Sequence, residues 1–426
     1  MDSSTVRGQK THRRRKLQVL GLTTLVVLSA CGSRNSSSAP GTTSVRSISQ
    51  PNGVAAGTPY VIHAIVSETG PGSFLGSAEA KSLQVLASEV NTSGGIQGHP
   101  IKMEIEDNRT SPSLSVSLAS PLISAKVPFI LVGSLGQTDL PVDAMAGPNG
   151  PLIYDLTPVV HPKPGSMVFS AGTPSNYNTQ AYLTFFKSRG WTKIAVITST
   201  DSNGVNGLTQ LKSALAQPEF SSIHLVANET FDPSASGVTS QLAVIKAAHP
   251  QALVVWTAGT PFGTVMQGMS QLGMKGIPTL TTNANQVPAE LAHLSNLLPE
   301  KLYFFTALLD IPFAQIANPA VRQQVINFDK AVKAAGGVPS DAWALSWDPA
   351  QLLIDAVKKL GVSANAKQLL NYMQNLHNAP GLFADYNFST TDHRGILPSD
   401  IYITIWNATD KTFNTLVSGP GGTPLG

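Results

Sequence analysis

Short apolar runs and amphipathic stretches take turns along this chain. Tyr60-Val61-Ile62-His63-Ala64-Ile65-Val66 is an apolar run of strand length. The stretch from Ser77 to Asn91 predicts a helix with Ala80, Leu83, Leu86, Ala87 and Val90 on one face. Gly94-Gly95 closes it, and the segment from Ile101 to Ile105 alternates as a strand. Phe129-Ile130-Leu131-Val132 and Leu152-Ile153-Tyr154 are short apolar strands bounded by Gly and Pro. The same beat returns downstream. Helices are predicted from Tyr177 to Arg189, Leu208 to Ala216, Val238 to Ala248 and Phe262 to Leu272. Between them fall strands from Lys193 to Thr198, Ile223 to Val226 and Ala252 to Trp256, with a short one at Thr279-Leu280. Strands alternating with helices predict parallel βαβ units, and these strands are too many for one comfortable sheet. Two doubly wound α/β lobes result. Ligands of such sheets lie beyond the carboxyl ends of the strands, so the loops after each strand form the candidate site.

The first residues follow another pattern. A basic stretch ends at Lys16, and an apolar run from Leu17 to Leu28 follows. That run is shorter than the ~20 residues a membrane-spanning helix needs, and residues 1–30 have the shape of a secretory signal. Leu28-Ser29-Ala30-Cys31-Gly32 resembles the lipobox of bacterial lipoproteins, whose cysteine carries the lipid; Cys31 is the sole cysteine. An ordinary signal with an incidental cysteine is the alternative. Arg14-Arg15-Lys16-Leu17 half-matches a twin-arginine signal, but general secretion is the expected route. Residues 31–57, polar and rich in small side chains, read as a lipidated tether. A lipidated Cys31 leaves no free thiol, hence neither a disulfide nor a thiolate metal site.

Charged side chains make up only 12% of the chain, so solubility rests on Ser, Thr, Asn and Gln, as in many exported proteins. The net charge of +3 comes from the leader, where Arg7, Lys10, Arg13, Arg14, Arg15 and Lys16 face a single acid, Asp2. The remaining body is slightly acidic and has no basic run, which argues against nucleic acid. Catalytic signatures are missing. There is no phosphate-binding loop, no His-Glu-x-x-His and no serine elbow, and the nine His residues lack ligand spacing. Gly70-Pro71-Gly72-Ser73-Phe74-Leu75-Gly76 is one residue too long for a dinucleotide fingerprint. It reads better as a helix start offering N–H groups to a carboxylate or carbonyl, with Phe74 either a cleft wall or a staple on its own helix. Polar loops after three further strands, at 133–138, 155–158 and 199–204, bring hydroxyls and amides to one rim, or simply cap helices. Asp107 reads as a loop residue.

Thr69-Gly70-Pro71, Gly76, Leu86-Ala87 and Val90-Asn91-Thr92-Ser93-Gly94-Gly95-Ile96-Gln97-Gly98, closing with Asp107 and Pro112, resemble the first βαβ unit of extracytoplasmic binding proteins for branched-chain amino acids and amides. The resemblance runs from about Tyr60 to Ile405. It implies a type I periplasmic-binding-protein fold: two Rossmann-like lobes joined by three hinge crossovers, with the ligand held between them. Lobe 1 would hold residues 58–173 and 306–382, and lobe 2 residues 174–305 and 383–420. The crossovers would lie near 171–174, 304–307 and 381–383.

For the site, the resemblance puts Ser134, Leu135, Gly136 and Gln137 at the ligand carboxylate, with Phe74, Leu156 and Thr157 beside them. Asp201, Asn203, Gly259 and Asn283 would face them from lobe 2. Relatives that bind amino acids place an acid where Thr281-Thr282-Asn283-Ala284-Asn285 stands here. A buried ammonium lacking a counter-charge costs several kcal/mol, so a small carboxylate, amide or urea-like solute is expected over leucine or valine, unless Asp201 supplies the charge. The resemblance further implies no cofactor, no catalysis, a monomer anchored outside the cell membrane, and delivery of a small-molecule ligand to an ABC permease. A sensor for a membrane signalling partner and a secreted hydrolase are the alternatives.

Overall fold

A computed structural model describes residues 57–425; the leader, Cys31 and the tether up to residue 56 lie outside the described residues. The first lobe opens with β1 (Tyr60–Val66), α1 (Ser73–Thr92), β2 (Ile101–Asp107), α2 (Pro112–Ser124), β3 (Phe129–Val132), α3 (Gly136–Asp143), β4 (Leu152–Asp155) and β5 (Val168–Ser170). The strands form a parallel sheet in the order β2-β1-β3-β4-β5. The two-residue period decides what packs where. Ile62, Ala64 and Val66 face Leu83, Leu86 and Val90 of α1, while Ile65, Ile130 and Val132 pack with Ala119 of α2 and Val142 of α3.

The chain then builds α4 (Ser175–Ser188), β6 (Lys193–Ser199), α5 (Ser202–Leu215), β7 (His224–Phe231), α6 (Thr239–Ala247), β8 (Ala252–Trp256), α7 (Thr260–Gln271), β9 (Thr279–Thr281), α8 (Pro288–His293) and β10 (Leu302–Thr306). It returns to the first lobe with α9 (Pro319–Ala334), α10 (Asp341–Leu360), α11 (Ala366–Gln374) and a short hairpin, β11 (Ala379–Pro380) with β12 (Asp385–Tyr386). Strands β13 (Tyr402–Asn407) and β14 (Thr412–Leu416) finish the second sheet, ordered β14-β13-β10-β9-β8-β6-β7 and antiparallel only at β13 and β14. In each sheet the order reverses beside the first strand, at β1/β3 and at β6/β8. Those are the switch points where crevices open.

The same packing device serves both first turns. A Cβ on Gly76 of α1 would lie 2.2 Å from the Ser67 carbonyl oxygen, and one on Gly204 of α5 would lie 1.9 Å from that of Ser199. Only glycine lets each helix sit this close to the end of its strand. α1 accordingly begins at Ser73, inside the Gly-rich segment expected to be a loop.

The third crossover is corrected by two buried charged groups. Gly381 to Phe383, expected to cross between lobes, is a turn held on α10: Asp348 accepts the Leu382 N–H at 2.8 Å, the Phe383 N–H at 3.1 Å and the Tyr386 hydroxyl at 2.8 Å. The following residues stay on β5. The His393 ring stacks on Phe169 at 4.3 Å between centroids, and its Nδ1 bonds the Val168 carbonyl. The Arg394 guanidinium, 6% exposed, donates to the carbonyls of Ala171 and Gly172 in the first crossover and of Pro158 and Val160 in the loop after β4. The chain therefore crosses after Gly395.

Arg394→Met leaves four carbonyls without their shared donor, and the loss of bonds worth roughly 1.5–3 kcal/mol each, offset in part by no longer burying a charge, gives an expected destabilisation of about 4 kcal/mol. Arg394→Lys should recover less than half, because an ammonium has no planar fork. Denaturant unfolding of the three proteins measures both.

Candidate functional site

At the first switch point the loops after β1 and β3 are locked together. The Gly133 N–H donates to the Ile65 carbonyl, and Asn108 takes the Ser67 hydroxyl at 2.7 Å while donating to the Gly133 carbonyl. Ser134, expected to offer its hydroxyl to a ligand, is 1% exposed and turned inward. Its Oγ donates to Glu79 at 2.5 Å and accepts the Ser67 N–H. The reason lies in α1, whose buried face carries Glu79 under this loop. Gly136 is buried against Val159, whereas Gln137 is exposed and Leu135 half-buried against Gly72. Leu156 and Thr157 are buried, and Phe74 is 50% exposed at the start of α1, so it does not staple onto its own helix. Asp107, expected in a loop, is the last residue of β2, where it accepts the Thr69 hydroxyl and the Arg109 N–H.

Behind this rim lie three buried acids, Glu79, Asp139 and Asp155, and a half-buried fourth, Asp143. Burial pushes the Glu79 carboxyl up to about 8, against the pull of the Ser134 bond. Asp143 is pushed up to about 7 by burial, and Asp139 and Asp155 rise well above the usual range through burial first and then the charges of neighbouring acids. Among the described residues, no group of His, Cys, Asp and Glu has the geometry to hold a metal ion. Nor is any described helix long and apolar enough to cross a membrane.

In the second lobe the loops after β8 and β9 are tied by Asn285. Its Nδ2 donates to the Thr257 carbonyl and to Thr281 Oγ1, both at 2.8 Å, and its Oδ1 accepts the N–H of Gly259, whose φ of +70° is a glycine conformation. Asn203 accepts the Trp256 indole N–H at 3.2 Å. Asp201 is exposed and caps α5 through the Gly204 N–H. The hydroxyls of Thr198, Ser199 and Thr257, at the ends of β6 and β8, are buried without a partner.

His161, after β4, lies near Asn206 of α5, and one side-chain hydrogen bond joins the lobes at these loops. Asn283, after β9, donates to Asp341 in the first turn of α10. Asp341 is 6% exposed and meets a second acid, Asp310, just past β10. The loop from Thr281 to Asn285, expected to lack an acid, thus receives one from the opposite lobe. Sequence reasoning missed Asp341 because it lies far along the chain, where an acid opening an amphipathic helix reads as a capping feature.

The buried acids set a pH dependence. Glu79 binds its proton more tightly folded than unfolded, so stability falls as pH rises from about 4.5 to about 8, and the other three acids act in the same direction. Unfolding temperature should therefore be higher at pH 5 than at pH 8. Glu79→Gln, which keeps an acceptor for Ser134, should raise it at pH 8 and leave it nearly unchanged at pH 5, as thermal melts at both pH values would record.

The sequence profile of the family described as periplasmic binding protein matches residues 59–411. Compared with curated protein sequences, the chain has no significant match. Among solved structures, it is similar to a type 1 periplasmic binding protein from Bordetella pertussis Tohama I, at TM-score 0.69 and 18% identity over 82% of this chain and 96% of that one. An extracellular ligand-binding receptor from Rhodopseudomonas palustris HaA2 gives 0.73 and 20%, over 84% and 100%. The branched-chain amino acid transporter substrate-binding protein LivJ from Streptococcus pneumoniae, solved with isoleucine, gives 0.66 and 16%, over 87% and 98%. These likenesses carry the fold, and the profile spans most of the sequence: the chain belongs to the periplasmic binding protein family.

Proposed function

We propose that this protein captures a small solute, amino acid-like, amide or carboxylate, between its two lobes and delivers it to an ABC importer, held at the outer face of the cell membrane by a lipid on Cys31. The observation that carries this reading is the meeting of strand-end loops across the lobes, where Asn283 donates to Asp341. Loops that touch in one arrangement of the crossovers separate in another. A solute bridging both rims shifts that equilibrium toward closure by as much as its affinity for the two forms differs. The buried hydroxyls of Thr198, Ser199 and Thr257 suit a polar ligand group. The argument against an ammonium weakens, since Asp341 reaches the loop that carries none of its own.

A solute library screened by thermal shift identifies the ligand, because a ligand at 100 times its Kd adds about 2.7 kcal/mol. The bound protein should give a smaller radius of gyration in solution scattering. A bound ligand that leaves the scattering curve unchanged removes the closure mechanism.

Asn283→Asp replaces a donor by a carboxylate facing Asp341. The variant should scatter as a more open molecule at pH 8, and less so at pH 5, where a shared proton relieves the repulsion. Cys31→Ser should release the protein from membranes or leave it unprocessed, as fractionation would reveal.

A further inference from the structure

A cavity of about 620 Å³ lies beside the second crossover, away from the switch-point loops. Its apolar walls are Leu309, Ile311, Phe313, Val325 and Phe328. Pro288 and Thr412 contribute from the second lobe, and α9 with Pro339 from the first. One charged group on its wall is half-buried and reaches toward the interior. Asp310 takes the Thr306 hydroxyl at 2.7 Å and meets Asp341, whose Oδ1 is buried without a partner. Among the described residues, no Lys, Arg or His pairs with either acid.

The other charges stand at the mouth. Lys333 is 63% exposed and answered by Asp329 at 2.8 Å, and Lys411 is exposed on the turn between β13 and β14. Water screens them more than it screens the acid pair, of which Asp341 is buried and Asp310 half-buried. Two carboxyls in contact hold one proton between them and so keep one negative charge. An apolar chamber ending in a partly buried charge of that kind is complementary to a cation with an apolar body.

We propose that this cavity is a second binding site, for a small organic ammonium whose charge meets Asp310, backed by Asp341 behind the wall, and whose apolar body lies against Val325 and Phe328. Its volume falls in the range that accepts ligands of this size. Since Asp341 also holds Asn283, an occupant would act on the contact that joins the lobes. The cavity opens away from the switch-point loops, shares only Asp341 with the lobe contact, and is tested without knowing the captured solute.

Calorimetry on the protein at pH 7.5 with phenethylamine, 2-phenylethanol and 3-phenylpropanoate isolates the charge, because the three share a ring and nearly one length. Phenethylamine should bind at least about tenfold more tightly than either of the others, and Asp310→Asn should remove that advantage. Ala314→Trp, at an exposed position on the cavity wall, should block binding while the unfolding temperature stays near that of the parent. The proposal is overturned if phenethylamine does not bind the parent, if 2-phenylethanol binds equally well, or if the amine still binds Ala314→Trp unchanged.

Discussion

The hinge of this protein depends on one side chain. Arg394 lies almost wholly out of water, and burial lowers its guanidinium to about 10. No carboxylate side chain bonds it; the planar fork reaches backbone carbonyls in two separate segments instead. The desolvation of the charge is offset only because each bond has an ionised donor and a fixed peptide dipole as acceptor. Those segments are the first crossover and the loop after β4, and Arg394 itself stands at the foot of the third. The first and third crossovers are thereby kept at a fixed spacing from each other and from the loop after β4, which stays within the first sheet.

Acids do the opposite work on either side of that hinge. In the first lobe burial raises the carboxyls of Glu79, Asp139, Asp143 and Asp155, which favours their protonated forms beneath the switch-point loops. At the second crossover Asp310 and Asp341 stand in contact beside an amide from the other lobe. One group of acids stiffens a rim; the other lies where the rims meet.

Most of the frame was legible as periodicity. Strand Ala252–Trp256 has the bounds its apolar run implies, because a fully buried strand between Pro and Gly has no other reading. The helices α9, α10 and α11 escaped a reading tuned to strands, although α10 carries much of the first-lobe core. The site was less legible. Ser134 lies in the expected loop yet faces inward, since nothing local reveals that Glu79 waits beneath it. Asn283 carried the right prompt, a missing acid, but the acid comes from another lobe. Loop composition reports which groups are available, while their direction is set by what packs behind them.

The two glycines at the first turns have a consequence for how the protein tolerates change. Gly76 and Gly204 hold α1 and α5 against the ends of β1 and β6, one in each half of the molecule. Even a methyl group at either would force its helix away from the strand, and the helix carries its lip of the cleft with it. The limit is local to each half: a side chain at Gly76 would displace only the lip carried by α1, and one at Gly204 only the lip carried by α5, so each jaw is set by its own glycine.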